Sequence, residues 1–78
     1  MPVFERVQNV LARVMQVPQQ QVRLESRKDD FAHWDSIRHL DLIMEIENAF
    51  SCTLTMNEAT AIGSVRDVVD LIAKKVAA

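Results

Sequence analysis

One glycine and two prolines in 78 residues leave this chain almost no means of turning tightly. A sheet built from hairpins needs turn residues at nearly every reversal. The sequence also lacks tyrosine and has few β-branched runs, so helices joined by loops are the expected architecture. Apolar residues make up 49% of the chain and charged residues 26%. That balance supplies a small core and is too apolar for disorder. The expectation is a single domain over residues 1–78, near the lower limit for folding without staples. A core of that size has little room for a deep, water-excluding catalytic pocket.

The apolar pattern divides the chain. Val3, Val7, Val10, Val14 and Val17 recur at helical spacing, with Phe4 and Leu11 beside them, which predicts a helix over about 3–16. Pro2 suits a first-turn position and Pro18 a stop. Residues 18–34 are polar and mixed, and read as a long loop pinned by Val22, Leu24, Phe31 and Trp34. Loops of that length in small domains are often functional. A second helix is expected over 36–50, with Asp35 or Ser36 supplying the N-cap oxygen. One helical turn is expected near 57–61. After Gly63, Ser64-Val65-Arg66-Asp67 resembles a capping box with Asp in place of Glu. Val65, Val68, Val69, Ile72 and Val76 give the last helix its apolar face. The fold class is therefore all-α: a small four-helix bundle of three main helices and one short one, with a long loop between the first two.

The second helix carries two apolar stripes. On a wheel of about 100° per residue, Leu42, Ile43, Ile46, Ala49 and Phe50 gather on one broad side, as a core stripe should. Ile37, Leu40 and Met44 form a second cluster, edged by Asp41, Glu45 and Asn48. Either the helix is sandwiched between two neighbours, or the second stripe is offered to a partner, with acids steering a basic surface towards it. Arg38 and Asp41 are spaced to pair at i,i+3.

Ser36 is the candidate reactive group. It is a hydroxyl delivered by a loop to a helix start. As a nucleophile of the chain's own it would need a base and an oxyanion hole. His39 lies one turn on, but the wheel turns it towards the core stripe, and no Gly-x-Ser-x-Gly elbow is present. His33, His39 and Cys52 lack metal-ligand spacing, so no metal site is expected. The single cysteine excludes an internal disulfide and suits a reducing cytoplasm. It reads as a small buried hydrophobe. The N-terminal residues show no targeting pattern, and no apolar run approaches a membrane span.

The net charge is −2, unevenly spread. Residues 1–28 carry five basic and two acidic side chains, and residues 29–71 nine acidic and two basic. The acidic middle disfavours nucleic acid and favours a basic protein partner.

These residues, in this order, resemble the acyl carrier protein family, which includes peptidyl carrier domains. The resemblance covers essentially the whole chain and is carried by Trp34-Asp35-Ser36-Ile37 through Leu42-Ile43-Met44-Glu45-Ile46-Glu47, ending in Phe50. It implies a 4′-phosphopantetheine arm on Ser36, with Asp35 as part of the motif. The arm would come from coenzyme A by way of a phosphopantetheinyl transferase, and its thiol would hold acyl or aminoacyl cargo as a thioester. The chain would then be a monomeric carrier and no enzyme. Ile37, Arg38, Leu40, Asp41, Met44 and Glu45 would face loading and processing enzymes with basic docking patches. His33 stands where many members have glycine, and Arg38 and His39 follow the motif directly. Both departures favour a specialised acyl, polyketide or peptide pathway over housekeeping fatty-acid synthesis. The competing expectation is a helical interaction module in which Ser36 is only a helix cap. A serine hydrolase relying on His39 is the third.

Overall fold

The computed structural model describes residues 3–77, and Pro2, expected in the first helical turn, lies outside them. Four α-helices occur among the described residues: α1 (Val3–Met15), α2 (Ser36–Phe50), α3 (Met56–Ala61) and α4 (Val65–Ala77). α1 packs against both α2 and α4. The centre of the core is drawn from all three: Val7, Leu11 and Met15 of α1, Leu42 and Ile46 of α2, and Val65, Val68 and Ile72 of α4 are completely buried. Each such side chain contributes about 1.5–3 kcal/mol through removal of its apolar surface from water. Arg6 reinforces the α1–α2 seam. Its guanidinium lies 4.4 Å over the Phe50 ring and donates to the Ala49 carbonyl.

Both α1 and α2 end in the same way. Gln16 (φ 59°) and Ser51 (φ 50°) turn into the left-handed region. The following amides of Val17 and Cys52 then reach back to the Ala12 and Glu47 carbonyls, each at 3.1 Å. This is the Schellman closure, which satisfies carbonyls that the helix leaves orphaned. The first helix therefore stops at Met15 through Gln16, ahead of Pro18. Cys52 is partly buried and packs against the core.

The stretch expected as a plain loop is more ordered. Short 3-10 turns form at Gln19–Gln21 and Lys28–Asp30. The Gln8 side-chain amide donates to the Val22 carbonyl at 2.7 Å and the Gln19 carbonyl at 3.1 Å. Val22, Phe31 and Trp34 are buried and Leu24 partly so. The buried Ser26 was not expected from the sequence. An antiparallel bridge joins Arg27 to Ser64, with the Lys28 amide donating to the Gly63 carbonyl and the Val65 amide to the Ser26 carbonyl, both at 2.9 Å. The loop is thereby tied to the start of α4. There Ser64 Oγ accepts from the Asp67 amide at 3.1 Å as a cap should, but Asp67 accepts from the Gly63 amide, one residue earlier than a capping box requires.

α3 is held differently. It buries none of its own residues, although Leu54 before it and Ile62 after it are core. A full capping box, Thr55 with Glu58, defines its start. Glu58 also meets Lys75 of α4 at 3.0 Å. The Thr55 backbone N–H, and then the Lys75 ammonium, hold the Glu58 carboxyl below its ordinary pKa.

Candidate functional site

Ser36 is the first residue of α2 and is exposed. The cap is Asp35: its Oδ1 accepts from the Arg38 amide at 2.9 Å, and its carbonyl accepts from the His39 amide at 2.8 Å. The expectation that Ser36 is only a cap is therefore corrected, because the capping oxygen comes from the preceding residue. Among the described residues, the Ser36 hydroxyl makes no hydrogen bond, and the Ser36 and Ile37 amides likewise find no partner. A free hydroxyl thus sits beside two free N–H groups at the positive end of the helix dipole, a setting that favours an attached anion.

A groove of about 330 Å³ opens beside Ser36, lined also by Lys28, His39, Leu40, Thr60 and Ile62. One wall is α2 and the other is α3 with the residue that follows it. Lys28 supplies a cation and Leu40 and Ile62 supply apolar surface. This donor set fits a phosphodiester on Ser36 that continues as a flexible chain. Lys28, Thr60 and Ile62 were not read as site residues from sequence. They arrive from separate segments, and nothing in their local pattern marks them.

His39 cannot act as a base for Ser36. The Trp34 indole N–H donates to its Nδ1 at 2.9 Å, and its Nε2 lies 2.8 Å from the Ala59 carbonyl. With Nδ1 accepting, the ring is the neutral tautomer that donates from Nε2. Both nitrogens are engaged, which removes the hydrolase expectation. Among the described residues, no group of three or more His, Cys, Asp or Glu side chains is arranged to hold a metal ion. No helix there is long and apolar enough to cross a membrane.

The two stripes of α2 separate cleanly. Leu42, Ile46 and Phe50 are buried, and Ile43 and Ala49 pack against the core. Ile37, Leu40 and Met44 are 72%, 66% and 57% exposed. The sandwiched alternative is thereby overturned. The expected Arg38–Asp41 pair does not form. Arg38 instead donates to the Val14 carbonyl at 3.2 Å, one of the orphaned carbonyls at the end of α1. Glu45 meets Arg13 of α1 at 2.8 Å, and Glu47 accepts from the Leu54 amide at 2.8 Å. Of the acids on α2, Asp41 alone has no such partner among the described residues.

The sequence of this small bundle matches the family model described as the phosphopantetheine attachment site over residues 5–72. The chain belongs to the acyl carrier protein family. Its similarity to individual acyl carrier proteins runs almost end to end. It is 34% identical to the acyl carrier protein of Chlorobium phaeovibrioides over 73 residues, 94% of each chain. It is 35% identical to that of Campylobacter concisus over 74 residues, 95% of this chain and 96% of the relative. It is 32% identical to that of Guillardia theta over 76 residues, 97% and 94%. Acyl carrier proteins are carriers and not catalysts, and their cofactor is covalent 4′-phosphopantetheine. Phosphopantetheinyl transferases and acyl-handling enzymes are their partners.

Proposed function

We propose that the phosphopantetheine arm is attached at Ser36, and that this domain shuttles acyl or aminoacyl intermediates between the enzymes of a specialised biosynthetic pathway. The observation that carries this is the exposed, unengaged Ser36 hydroxyl beside a cap already completed by Asp35. The bound group supplies a terminal thiol that holds the cargo as a thioester. The chain's own residues present it. Asp35 fixes the first turn of α2, the Ser36 and Ile37 amides and Lys28 favour the phosphodiester, and Leu40 and Ile62 line the groove it enters.

Ile37, Leu40 and Met44 are the anchors that partners bury, with Met44 able to repack against different surfaces. Asp41 selects a basic group on the partner, while Arg38 and the Arg13–Glu45 pair mark the edge of the docking face. In this proposal the carrier is a cytoplasmic monomer. Arg38 and His39, following the motif directly, support a specialised pathway over bulk fatty-acid synthesis.

The test is intact mass after incubation with coenzyme A and a broad-specificity phosphopantetheinyl transferase. Wild type gains one phosphopantetheine, and Ser36→Ala gains none. Ser36→Asn keeps a residue suited to helix starts and is likewise unmodified. A folded wild-type chain that stays unmodified, beside a known carrier that is modified, overturns the assignment.

A further inference from the structure

The imidazole of His39 joins three separate pieces of the molecule. It projects from α2 one turn beyond Ser36, accepts from the buried Trp34 indole in the loop that delivers Ser36, and donates to the Ala59 carbonyl of α3. Ala59 has few other options. Its carbonyl lies near the end of a six-residue helix, and its remaining partner, the Ile62 amide, stands at 3.4 Å. A helix of that length is not stable by itself. α3 buries none of its side chains, and among the described residues its other outward tie, Glu58 to Lys75, is on the side of α4. The bond from His39 is thus the tie that holds α3 towards α2, across the groove that contains Ser36.

We propose that His39 is a positioning residue that latches α3 to the loop and helix presenting Ser36, and so sets the width of the groove beside it. When the latch is closed, Trp34 fixes the tautomer, the tautomer fixes which nitrogen faces α3, and Thr60 of α3 stands at a defined separation from Leu40 across the groove. When it is open, α3 swings on its flanking residues Leu54 and Ile62, which stay in the core, and the groove widens. The bearing on cargo rests on Ser36 being the attachment point. The latch itself does not, so it is tested on the unmodified chain and its failure would leave the mass experiment untouched.

Two measurements test it. The ¹⁵N shifts of the wild-type imidazole should show a proton on Nε2 and none on Nδ1. A proton on Nδ1 would overturn the latch without any variant having to fold. Amide hydrogen exchange should then be compared across helices. In His39→Leu, amides Ala59–Ile62 should exchange about five- to tenfold faster, the scale of one lost hydrogen bond, while α1 and α4 change less than about twofold. His39→Gln keeps a donor near the Nε2 position and should restore most of the protection. Trp34→Phe, which frees the tautomer, should give an intermediate value. Unchanged α3 exchange in His39→Leu, or equal acceleration in every helix, would show an ordinary packing residue and overturn the proposal.

Discussion

The two faces of α2 are built from the same kinds of residue and come to opposite ends. Leu42, Ile46 and Phe50 disappear into the contact with α1, whereas Ile37, Leu40 and Met44 stand in water on the other side of the same helix. Apolar area exposed to solvent contributes little to folding, and the outward stripe is the surface to which the proposed docking role falls. Composition therefore does not tell a core stripe from a recognition stripe. What separates them is the number of neighbours the rest of the chain can supply. With α1 on one side and only the short α3 near the other, one face of α2 is left uncovered.

The largest effect should come from the inner face. Ile46→Ala should cost about 2–5 kcal/mol of stability, measured by urea denaturation, because it leaves a cavity at the α1–α2–α4 junction. Its folded fraction should still accept phosphopantetheine. The outer face should answer in the opposite way. Leu40→Ser should leave the denaturation midpoint nearly unchanged, within about 0.5 kcal/mol. It should lower the efficiency of transferase modification by about tenfold, the loss of one interface anchor. A Leu40→Ser chain that unfolds would show that the outer stripe is structural and would break the comparison.

The smallest effect lies away from both faces, at Glu58 of α3. Its carboxyl is held below its ordinary pKa by the Thr55 amide and then by Lys75. A carboxyl depressed in the folded state contributes stability that is present above its unfolded pKa and is lost as pH falls through the folded one. Mild acid should therefore loosen α3 slightly, and Glu58→Gln should remove that part of the pH dependence in a thermal-melt series. Modification at Ser36 should not respond to the same change.

Much of this was legible in the order of residues. The span of α2, the short helix near residue 57 and the two stripes all follow from periodicity and local capping, which are short-range signals. What was not legible depends on contacts between distant segments. The bridge from Arg27 to Ser64 turns a nominal loop into a strap, and no local pattern announces it. Arg38 was expected to pair along its own helix, but the orphaned Val14 carbonyl of α1 captured it. The wheel placed His39 at the rim of the core without showing that both its nitrogens would be taken. The choice between Asp35 and Ser36 as cap, undecidable from two adjacent capping residues, fell to Asp35 and left the serine available.

The placement of left-handed backbone has a practical side. The chain's single glycine, Gly63, has no positive φ, and a methyl group added there would meet only Asp67 Oδ2, at 3.8 Å. Gln16 and Ser51, by contrast, hold the conformation that glycine adopts without strain. The molecule thus carries unused thermal headroom at three surface positions, none of them lining the groove at Ser36. Exchanging the assignments, glycine in at Gln16 and Ser51 and alanine in at Gly63, is a route to a heat-hardened carrier whose chemistry is left alone.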